Sequence, residues 1–302
     1  MDINYELYKV FYYVAKTLSF SEASKALFIS QSAVSQSIKV LEKRLNQSLF
    51  IRSTKKVKLT KEGELLFKHI EPAINLISRG ETQILEANSL NGGQLRIGAS
   101  DTICRYFLVP FLEKFHLKYP NVHIKVTNGT SLQCVEFLET NLVDLIITNS
   151  PNKRLTTMHH ITDILEFSDV FVVNKDAFPI VTNDVSLTDL QHHPILMLEK
   201  HSTTSEFLHG LFLRNQLDLA PAVELSSNDL LIDLAKIGLG IAFVPDFCIN
   251  NETVLTKIKL KEELPKRKLS VVHNHNIPLN YAAENFIALM LEGINKEEAD
   301  SL

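Results

Sequence analysis

The sequence predicts an α/β protein in which a small helical head, one long helix and a larger two-lobed α/β domain follow one another. The chain has 302 residues, about twice the length of a typical domain. Helical patterns fill the first part of the chain, whereas strands and helices alternate after residue 93. Apolar residues make up 45% of the chain and charged residues 22%. This composition is typical of a chain that folds throughout its length.

The head contains three helical patterns and one hairpin. Apolar residues recur at helical spacing over 7–14, and Ser21 and Ser30 can cap two further helices. In the third helix, the apolar residues from Val34 to Leu45 step by four, three and four residues and form one buried stripe. Two β-prone runs, 49–52 and 57–59, flank a polar turn and predict a small wing.

The second and third helices fit a helix-turn-helix, in which the second helix enters the major groove of DNA. The face opposite the apolar stripe carries amides, hydroxyls and lysines, which can reach bases or phosphates. The wing adds basic residues that can hold phosphates. The predicted DNA contacts are Gln31, Ser32, Ser35, Gln36 and Lys39 on the helix, and Arg52, Lys55 and Lys56 in the wing.

The charge distribution separates the head from the rest of the chain. The first 61 residues contain eleven Lys and Arg and four acidic residues, a net charge of +7, so the remainder carries −11. A basic head on an acidic body suits a protein that binds phosphates through the head alone. The alternative is a solvated basic face without a partner.

A helical pattern from 61 to about 88 follows a plausible N-cap at Thr60. Its apolar stripe consists of Leu66, Ile70, Ala73, Ile77, Gly80, Ile84 and Ala87. The stripe favours pairing with a second copy of the chain, although Pro72 and Gly80 should kink or loosen the helix. The alternative is that the helix lies on its own C-terminal domain. Residues 91–93, Asn-Gly-Gly, predict a hinge.

The remainder predicts two α/β lobes with a cleft between them. In the first lobe, strands at 95–99, 122–127 and 144–148 alternate with helices at 102–119 and 132–141, which favours a parallel sheet. The second lobe has predicted strands at 170–173, 195–198, 222–225 and 241–244, and helices near 205–215 and 228–237. A strand at 269–272 and a helix at 281–291 can return to the first lobe.

The stretch from 11 to 63 closely resembles the LysR-type transcriptional regulators, through SFSEAS, SQSAVSQSIKVLE, LFIR and LTKEG in register. The likeness extends more weakly to LRIGAS at 95–100, FHLKYPNV, DLII at 144–147 and GLGIAFVP at 238–245. Two departures are Ser24, where a second alanine is common, and Asn46, where glycine is usual; asparagine also tolerates left-handed geometry. The resemblance implies a winged helix-turn-helix, a dimerising linker helix and a two-lobed effector domain similar to periplasmic binding proteins, often assembled as a tetramer.

On this basis the expected domains are 1–60, a linker helix at 61–90 and a regulatory domain at 91–302. Lobe I is expected at about 94–163 and 268–295, and lobe II at about 164–267. The expected partners are double-stranded DNA with dyad symmetry, a small-molecule effector and a second copy of the chain in a dimer or tetramer.

The resemblance also places the effector between the lobes, against loops rich in hydroxyls and amides. The implied effector contacts are Ser100, Thr102, Asn128, Thr130, Thr148, Ser202, Thr203, Thr204 and Ser226. Ser100 and Thr102 open a predicted helix, whose free N–H groups and dipole favour an anion or a carboxylate-bearing zwitterion held by neutral donors. The alternative is that these serines and threonines only cap helices.

Other functional classes have little support in the sequence. The motifs GxSxG, HExxH, Walker A and GxGxxG after a strand are absent, so no enzyme activity and no cofactor are expected. Seven histidines lie in predicted polar loops without metal spacing, and we expect them at the surface: His159, His160, His192, His193, His201, His273 and His275. Cys104, Cys134 and Cys248 lack disulfide or zinc spacing and are interpreted as buried thiols, with a redox switch as the alternative.

Without a secretory pattern or a membrane-spanning run, we expect a cytoplasmic protein rather than the second candidate, a periplasmic solute-binding protein.

Overall fold

The computed structural model describes residues 3–52, 57–87, 93–179, 185–250 and 252–300. They form two compact units. One comprises the described residues of 1–89 together with 139–142, and the other comprises the rest.

The smaller unit contains the predicted helical head. Its helices are α1 (Tyr5–Thr17), α2 (Phe20–Leu27) and α3 (Gln31–Leu45), followed by the antiparallel strands β1 (Phe50–Arg52) and β2 (Val57–Leu59). Phe11, Ala23, Ile38 and Leu41 are among the residues of its fully buried core. The predicted three helices and hairpin strands are therefore confirmed, and the turn at 53–56 lies outside the described residues.

Capping residues define the ends of α2 and α3. The N-cap of α2 is Ser19, whose Oγ accepts from Glu22 N at 3.2 Å, so the predicted cap Ser21 lies inside the helix. Ser30 caps α3 as predicted, because its Oγ accepts from Ala33 N at 3.2 Å. Asn46 ends α3 at φ 52°, the left-handed conformation that asparagine tolerates.

The long helix α4 (Lys61–Ala87) runs without interruption through Pro72 and Gly80. Leu66 and Ile70 pack against the core of the head, so they are not exposed as a seam. Ile77 lies farther along the helix and is 45% exposed. The predicted apolar stripe is thus divided into a part that anchors the helix to the head and an exposed part.

The larger unit contains two five-stranded sheets. Its first half comprises β3 (Gly93–Ala99), α5 (Asp101–Ile103), a π-helical segment (Cys104–Leu108), α6 (Val109–Lys118), β4 (Val122–Asn128), α7 (Ser131–Glu139), β5 (Leu145–Ser150) and β6 (His159–Phe167). Its second half comprises β7 (Asp169–Asn174), α8 (Leu187–Leu190), β8 (Ile195–Leu198), α9 (Thr203–Arg214), β9 (Val223–Leu225), α10 (Asn228–Lys236), β10 (Ile241–Pro245), a 3-10 turn (Asp246–Ile249), β11 (Leu255–Lys257), β12 (Arg267–Asn274) and α11 (Tyr281–Asp300).

Lobe I has the strand order β4-β3-β5-β12-β6, and lobe II has the order β11-β7-β10-β8-β9. In lobe I, β3 is parallel to β4 and β5, whereas β12 runs antiparallel to β5 and β6. The returning strand β12 therefore makes the sheet mixed rather than parallel. Because β6 pairs with β12 as far as Phe167, the chain leaves lobe I at Ser168, and the expected crossing at 164 falls inside β6.

Hydrophobic clusters cover both faces of each sheet. In lobe I, helices α6 and α11 cover one face through Phe115 and Phe286, whose rings meet edge to face. Strands with both faces covered are apolar where they cross the core, as β10 is throughout and β5 is from Leu145 to Ile147. This arrangement leaves the loops after the strands available for polar residues.

The histidine assignment to loops is partly wrong. His159 and His160 begin β6, and His273 lies in β12, where its ring centroid is 4.8 Å from that of His160. Polar residues are tolerated in β6 because it is an edge strand that pairs on one side only. Among the described residues, no group of three or more His, Cys, Asp and Glu side chains is placed to hold a metal ion.

Candidate functional site

The polar face of α3 is presented to solvent as predicted. Gln31, Ser32, Gln36 and Lys39 are exposed, and Ser35 is half-buried. Their spacing places them on one side of the helix, opposite the buried stripe. The hairpin part of the predicted surface is less fully described: for Arg52 only the backbone is described, and Lys55 and Lys56 lie outside the described residues.

A second candidate site is a polar cleft of about 280 Å³ in the larger unit. Eight of the nine predicted effector contacts line it: Ser100, Thr102, Asn128, Thr130, Ser202, Thr203, Thr204 and Ser226. The ninth, Thr148, is fully buried and accepts from Asn152 Nδ2 at 3.2 Å; it is not part of the lining. The residue of β5 that lines the cleft is the next one, Asn149.

Three helices begin at this cleft: α7 at Ser131, α9 at Thr203 and α10 at Asn228. The first turn of a helix has N–H groups without intrahelical partners and carries the positive end of the helix dipole. Their convergence favours a negatively charged group in the cleft.

Some of the predicted contacts also cap helices. Ser100 Oγ accepts from Ile103 N at 3.3 Å, and Ser202 Oγ accepts from Ser205 N at 3.0 Å. Thr102, Thr203 and Thr204 lie inside the first turns instead. Thr130 makes the same capping contact at the start of α7, because its Oγ1 accepts from Gln133 N at 3.2 Å. The capping alternative therefore describes Ser100, Thr130 and Ser202 but does not account for Thr102, Thr203 and Thr204.

Sequence reasoning missed a cation behind the cleft. Arg267, at the start of β12, is 1% exposed and donates to Thr204 Oγ1 and Thr203 Oγ1 at 3.1 Å each. Its Nη1 also donates to the buried carboxylate of Asp169 at 2.7 Å. Each threonine hydroxyl accepts from the guanidinium and so keeps its own proton available for a ligand. No sequence motif marks Arg267, which stands in the basic run Lys-Arg-Lys at 266–268.

Two hydrogen bonds join lobe I to the start of α10 in lobe II, and of the four residues involved all but Tyr106 line the cleft. Asn228 Nδ2 donates to Thr102 Oγ1 at 2.9 Å, and Tyr106 Oη donates to Asp229 Oδ1 at 2.6 Å. Burial, together with the hydrogen bond to Asp229, raises the pKa of Tyr106, so its hydroxyl remains a donor at neutral pH. These contacts link the N-terminus of α10 to the helical segment after β3.

Two of the cysteines lie near the loops of the cleft. Cys104 Sγ is 3.6 Å from Asn128 Oδ1, and Cys134 Sγ is 3.5 Å from Gly129 O. Burial raises the pKa of Cys104 to about 11 and that of Cys134 to about 12. Thiols with such pKa values are almost entirely protonated at neutral pH and are poor nucleophiles.

A helix-turn-helix head joined to a two-lobed α/β domain with a polar cleft defines the class of ligand-responsive DNA-binding regulators. Two family models match the chain: the bacterial regulatory helix-turn-helix protein of the lysR family over 5–64, and the LysR substrate binding domain over 88–295. The chain belongs to the LysR family of transcriptional regulators. No helix among the described residues is long and apolar enough to cross a membrane.

Individual relatives agree with this assignment. The transcriptional activator CmpR of Synechocystis sp. is 26% identical over 283 residues, which cover 93% of this chain and 92% of CmpR. The structure of full-length CbnR with its target DNA has a TM-score of 0.67 at 17% identity and covers 97% of this chain and 99% of CbnR. The regulatory domain of Synechocystis CcmR in complex with 2-PG has a TM-score of 0.62 at 23% identity, covering 67% of this chain and 97% of that domain.

Proposed function

We propose that this protein is a cytoplasmic, homo-oligomeric regulator that reads operator DNA through α3 and the wing and responds to a small molecule in the cleft. The observation that supports this proposal most strongly is that eight of the polar residues implied by the family resemblance line one cleft, at which three helices begin. A cytoplasmic location follows from the need to reach DNA. The role is regulatory rather than enzymatic.

The DNA surface comprises the exposed face of α3 and the basic wing. Gln31 and Gln36 can pair with adenine edges, and Ser32 and Ser35 can reach bases or phosphates. Lys39, Arg52, Lys55 and Lys56 supply positive charge for the phosphate backbone. The complex of CbnR with its target DNA supports this use of the head.

Oligomerisation is assigned to the exposed apolar side of α4. Leu65, Leu76 and Ile77 are 62%, 42% and 45% exposed. Leu65 and Leu76 are eleven residues apart and so lie on one side of the helix, next to Ile77. Exposed apolar residues on a helix gain stability when a second helix covers them. Two heads held by paired α4 helices would contact two operator half-sites, and a pair of such dimers would form a tetramer.

The effector is a small anion or a molecule with a carboxylate. The N-termini of α7, α9 and α10 and the hydroxyls of Thr203 and Thr204, oriented by Arg267, supply donors for it. A cavity of about 280 Å³ lies just below the range for drug-sized ligands, about 300–1,000 Å³, and suits a smaller molecule. Because the lobes meet through Asn228 and Thr102, a ligand that binds the closed arrangement better shifts the lobes toward closure.

Thermal unfolding of the full-length protein in the presence of metabolites tests the effector role. A ligand at a hundred times its dissociation constant adds about 2.7 kcal/mol to the free energy of unfolding. The Ser226→Trp variant, which fills the cleft from an exposed position, should lose this stabilisation while retaining DNA binding. An unchanged response in Ser226→Trp would place the ligand elsewhere.

A further inference from the structure

We infer that the ligand of the cleft is a zwitterion with a cationic amine as well as a carboxylate, as in a free amino acid. This inference rests on the proposed effector function and narrows the chemical class of the ligand. It depends on three features of the cleft: the sign of its ionisable side chains, two buried acceptors and the position of the helix N-termini.

The ionisable side chains of the described cleft lining are all acidic. They are Asp101, Glu199 and Asp229, with no Lys, Arg or His among them. Asp229 has a cation nearby, since Arg105 Nη1 lies 3.5 Å from its Oδ2. Within the described part of the chain, no ion pair joins Asp101 or Glu199 to a cation. The carboxylates of Asp101 and Glu199, which no ion pair among the described residues offsets, disfavour a ligand that carries only negative charge.

Two buried side chains present acceptors without hydrogen-bond partners. Asn149 and Asn228 are 9% and 5% exposed, and both line the cleft. Oδ1 of each lacks a partner among the described residues. A buried acceptor without a partner is costly, so each oxygen calls for a donor. An anion that only accepts hydrogen bonds cannot provide one.

An ammonium group meets both conditions. It has three N–H donors and one positive charge, which match two amide oxygens and a nearby carboxylate. The N-termini of α9 and α10 and the Thr203 hydroxyl remain available for the ligand carboxylate. The cleft therefore offers complementary places for both charges of one small molecule.

The test uses full-length protein and titration calorimetry with the twenty protein amino acids. For each amino acid that binds, the matched probes are its 2-hydroxy acid, which lacks the ammonium, and its decarboxylated amine, which lacks the carboxylate. We expect at least one amino acid to bind and each of its two analogues to bind at least about tenfold more weakly, because a charged hydrogen-bonded group is lost in each case.

Substitutions provide a signature that overall destabilisation would not produce. Glu199→Gln should weaken the amino acid and leave its 2-hydroxy acid unchanged or tighter, because the carboxylate attracts one probe and repels the other. Glu224→Gln, an exposed change on β9 outside the cleft, is the matched control and should alter neither affinity.

The outcomes separate this inference from the proposed function. If sulfate, 2-PG or a 2-hydroxy acid binds as tightly as any amino acid and Ser226→Trp abolishes that binding, the ligand is not a zwitterion. The proposed effector function of the cleft is then retained. If amino acids bind but Glu199→Gln weakens the hydroxy acid equally, the charge argument is overturned. If no amino acid and no anion binds at millimolar concentration, both the inference and the effector function fail.

Discussion

The guanidinium of Arg267 and the carboxylate of Asp169 form an ion pair of 2.7 Å whose side chains are 1% and 0% exposed. Arg267 stands at the start of the strand that returns to lobe I, and Asp169 starts the first strand of lobe II. The same guanidinium orients the hydroxyls of Thr203 and Thr204 at the cleft. The pair thus connects the junction of the lobes to the start of α9, which lines the cleft.

Removing one partner of this pair should be strongly destabilising. Arg267→Met leaves the Asp169 carboxylate buried without a cation, and we expect a loss of about 3–5 kcal/mol in the free energy of unfolding. The double variant with Asp169→Leu should recover a large part of that loss, because no uncompensated charge remains. Lys266→Met, which breaks the exposed pair with Glu166, should change stability little. Urea denaturation measures all three, and a double variant no more stable than Arg267→Met would contradict the assignment.

Base recognition by α3 predicts changes in sequence preference. Gln31→Ala should weaken binding to the preferred operator by about 1–3 kcal/mol and relax the preference at one base position. Lys55→Gln should instead weaken binding to all sequences and flatten the salt dependence. Gln191→Ala, in the larger unit, is the control. Fluorescence anisotropy with operator and scrambled duplexes measures these affinities. If Gln31→Ala loses the same affinity for both duplexes, Gln31 does not contribute to base recognition.

The exposed apolar residues of α4 predict which substitutions disrupt the oligomer. Placing glutamates at Leu76 and Ile77 should give monomers, because charges replace the exposed apolar surface. Leu213→Glu, on the exposed side of α9, should leave the mass unchanged. Ile70 is unsuitable for this test, since it packs into the core of the head. Light scattering measures the mass, and an unchanged mass in the Leu76 and Ile77 variant would place the interface elsewhere.

The threonines of the cleft predict losses in ligand affinity. Thr203→Val removes the hydroxyl that Arg267 orients, and Thr102→Val removes the acceptor of Asn228 Nδ2. Each substitution should weaken effector binding by about 1–3 kcal/mol, while DNA binding without the effector remains intact. Thr188→Val, exposed on α8, is the matched control. Titration calorimetry measures the affinity for the effector. If both cleft variants retain the wild-type affinity, these hydroxyls do not contact the effector and have only a structural role.

The raised thiol pKa values predict slow alkylation. Because the pKa of Cys104 is raised from 9.0 to about 11, its thiolate fraction at neutral pH should be about a hundredfold below that of an unperturbed thiol. The thiolate is the reactive form, so iodoacetamide should react slowly at pH 7 and faster as the pH approaches 11. Mass spectrometry of Cys104 and Cys134 follows the reaction. Alkylation at pH 7 as fast as that of glutathione would instead favour the redox switch.

Local patterns predicted much of the fold. The apolar run Ile-Leu-Met-Leu predicted β8 with its observed bounds, and the Ser30 cap predicted the start of α3. Strand β6 was missed because its histidines and acids alternate irregularly, which an edge strand tolerates. Arg267 was missed because its role depends on contacts with Asp169 and the two threonines, which are 63 to 98 residues away in sequence. Likewise, only the folded chain brings Asn149 and Asn228, whose Oδ1 atoms have no hydrogen-bond partner among the described residues, to the cleft.

Selection of duplex DNA from a random library by the full-length protein, followed by sequencing, tests the central claim most directly. An oligomer that presents two copies of α3 should enrich sequences with dyad symmetry, whose half-sites are about one helical turn of DNA or a multiple of it apart. The Gln31→Ala variant should enrich a different or relaxed half-site. Recovery of the library without enrichment, or equal enrichment by wild type and the variant, would contradict a regulator that reads its operator through α3.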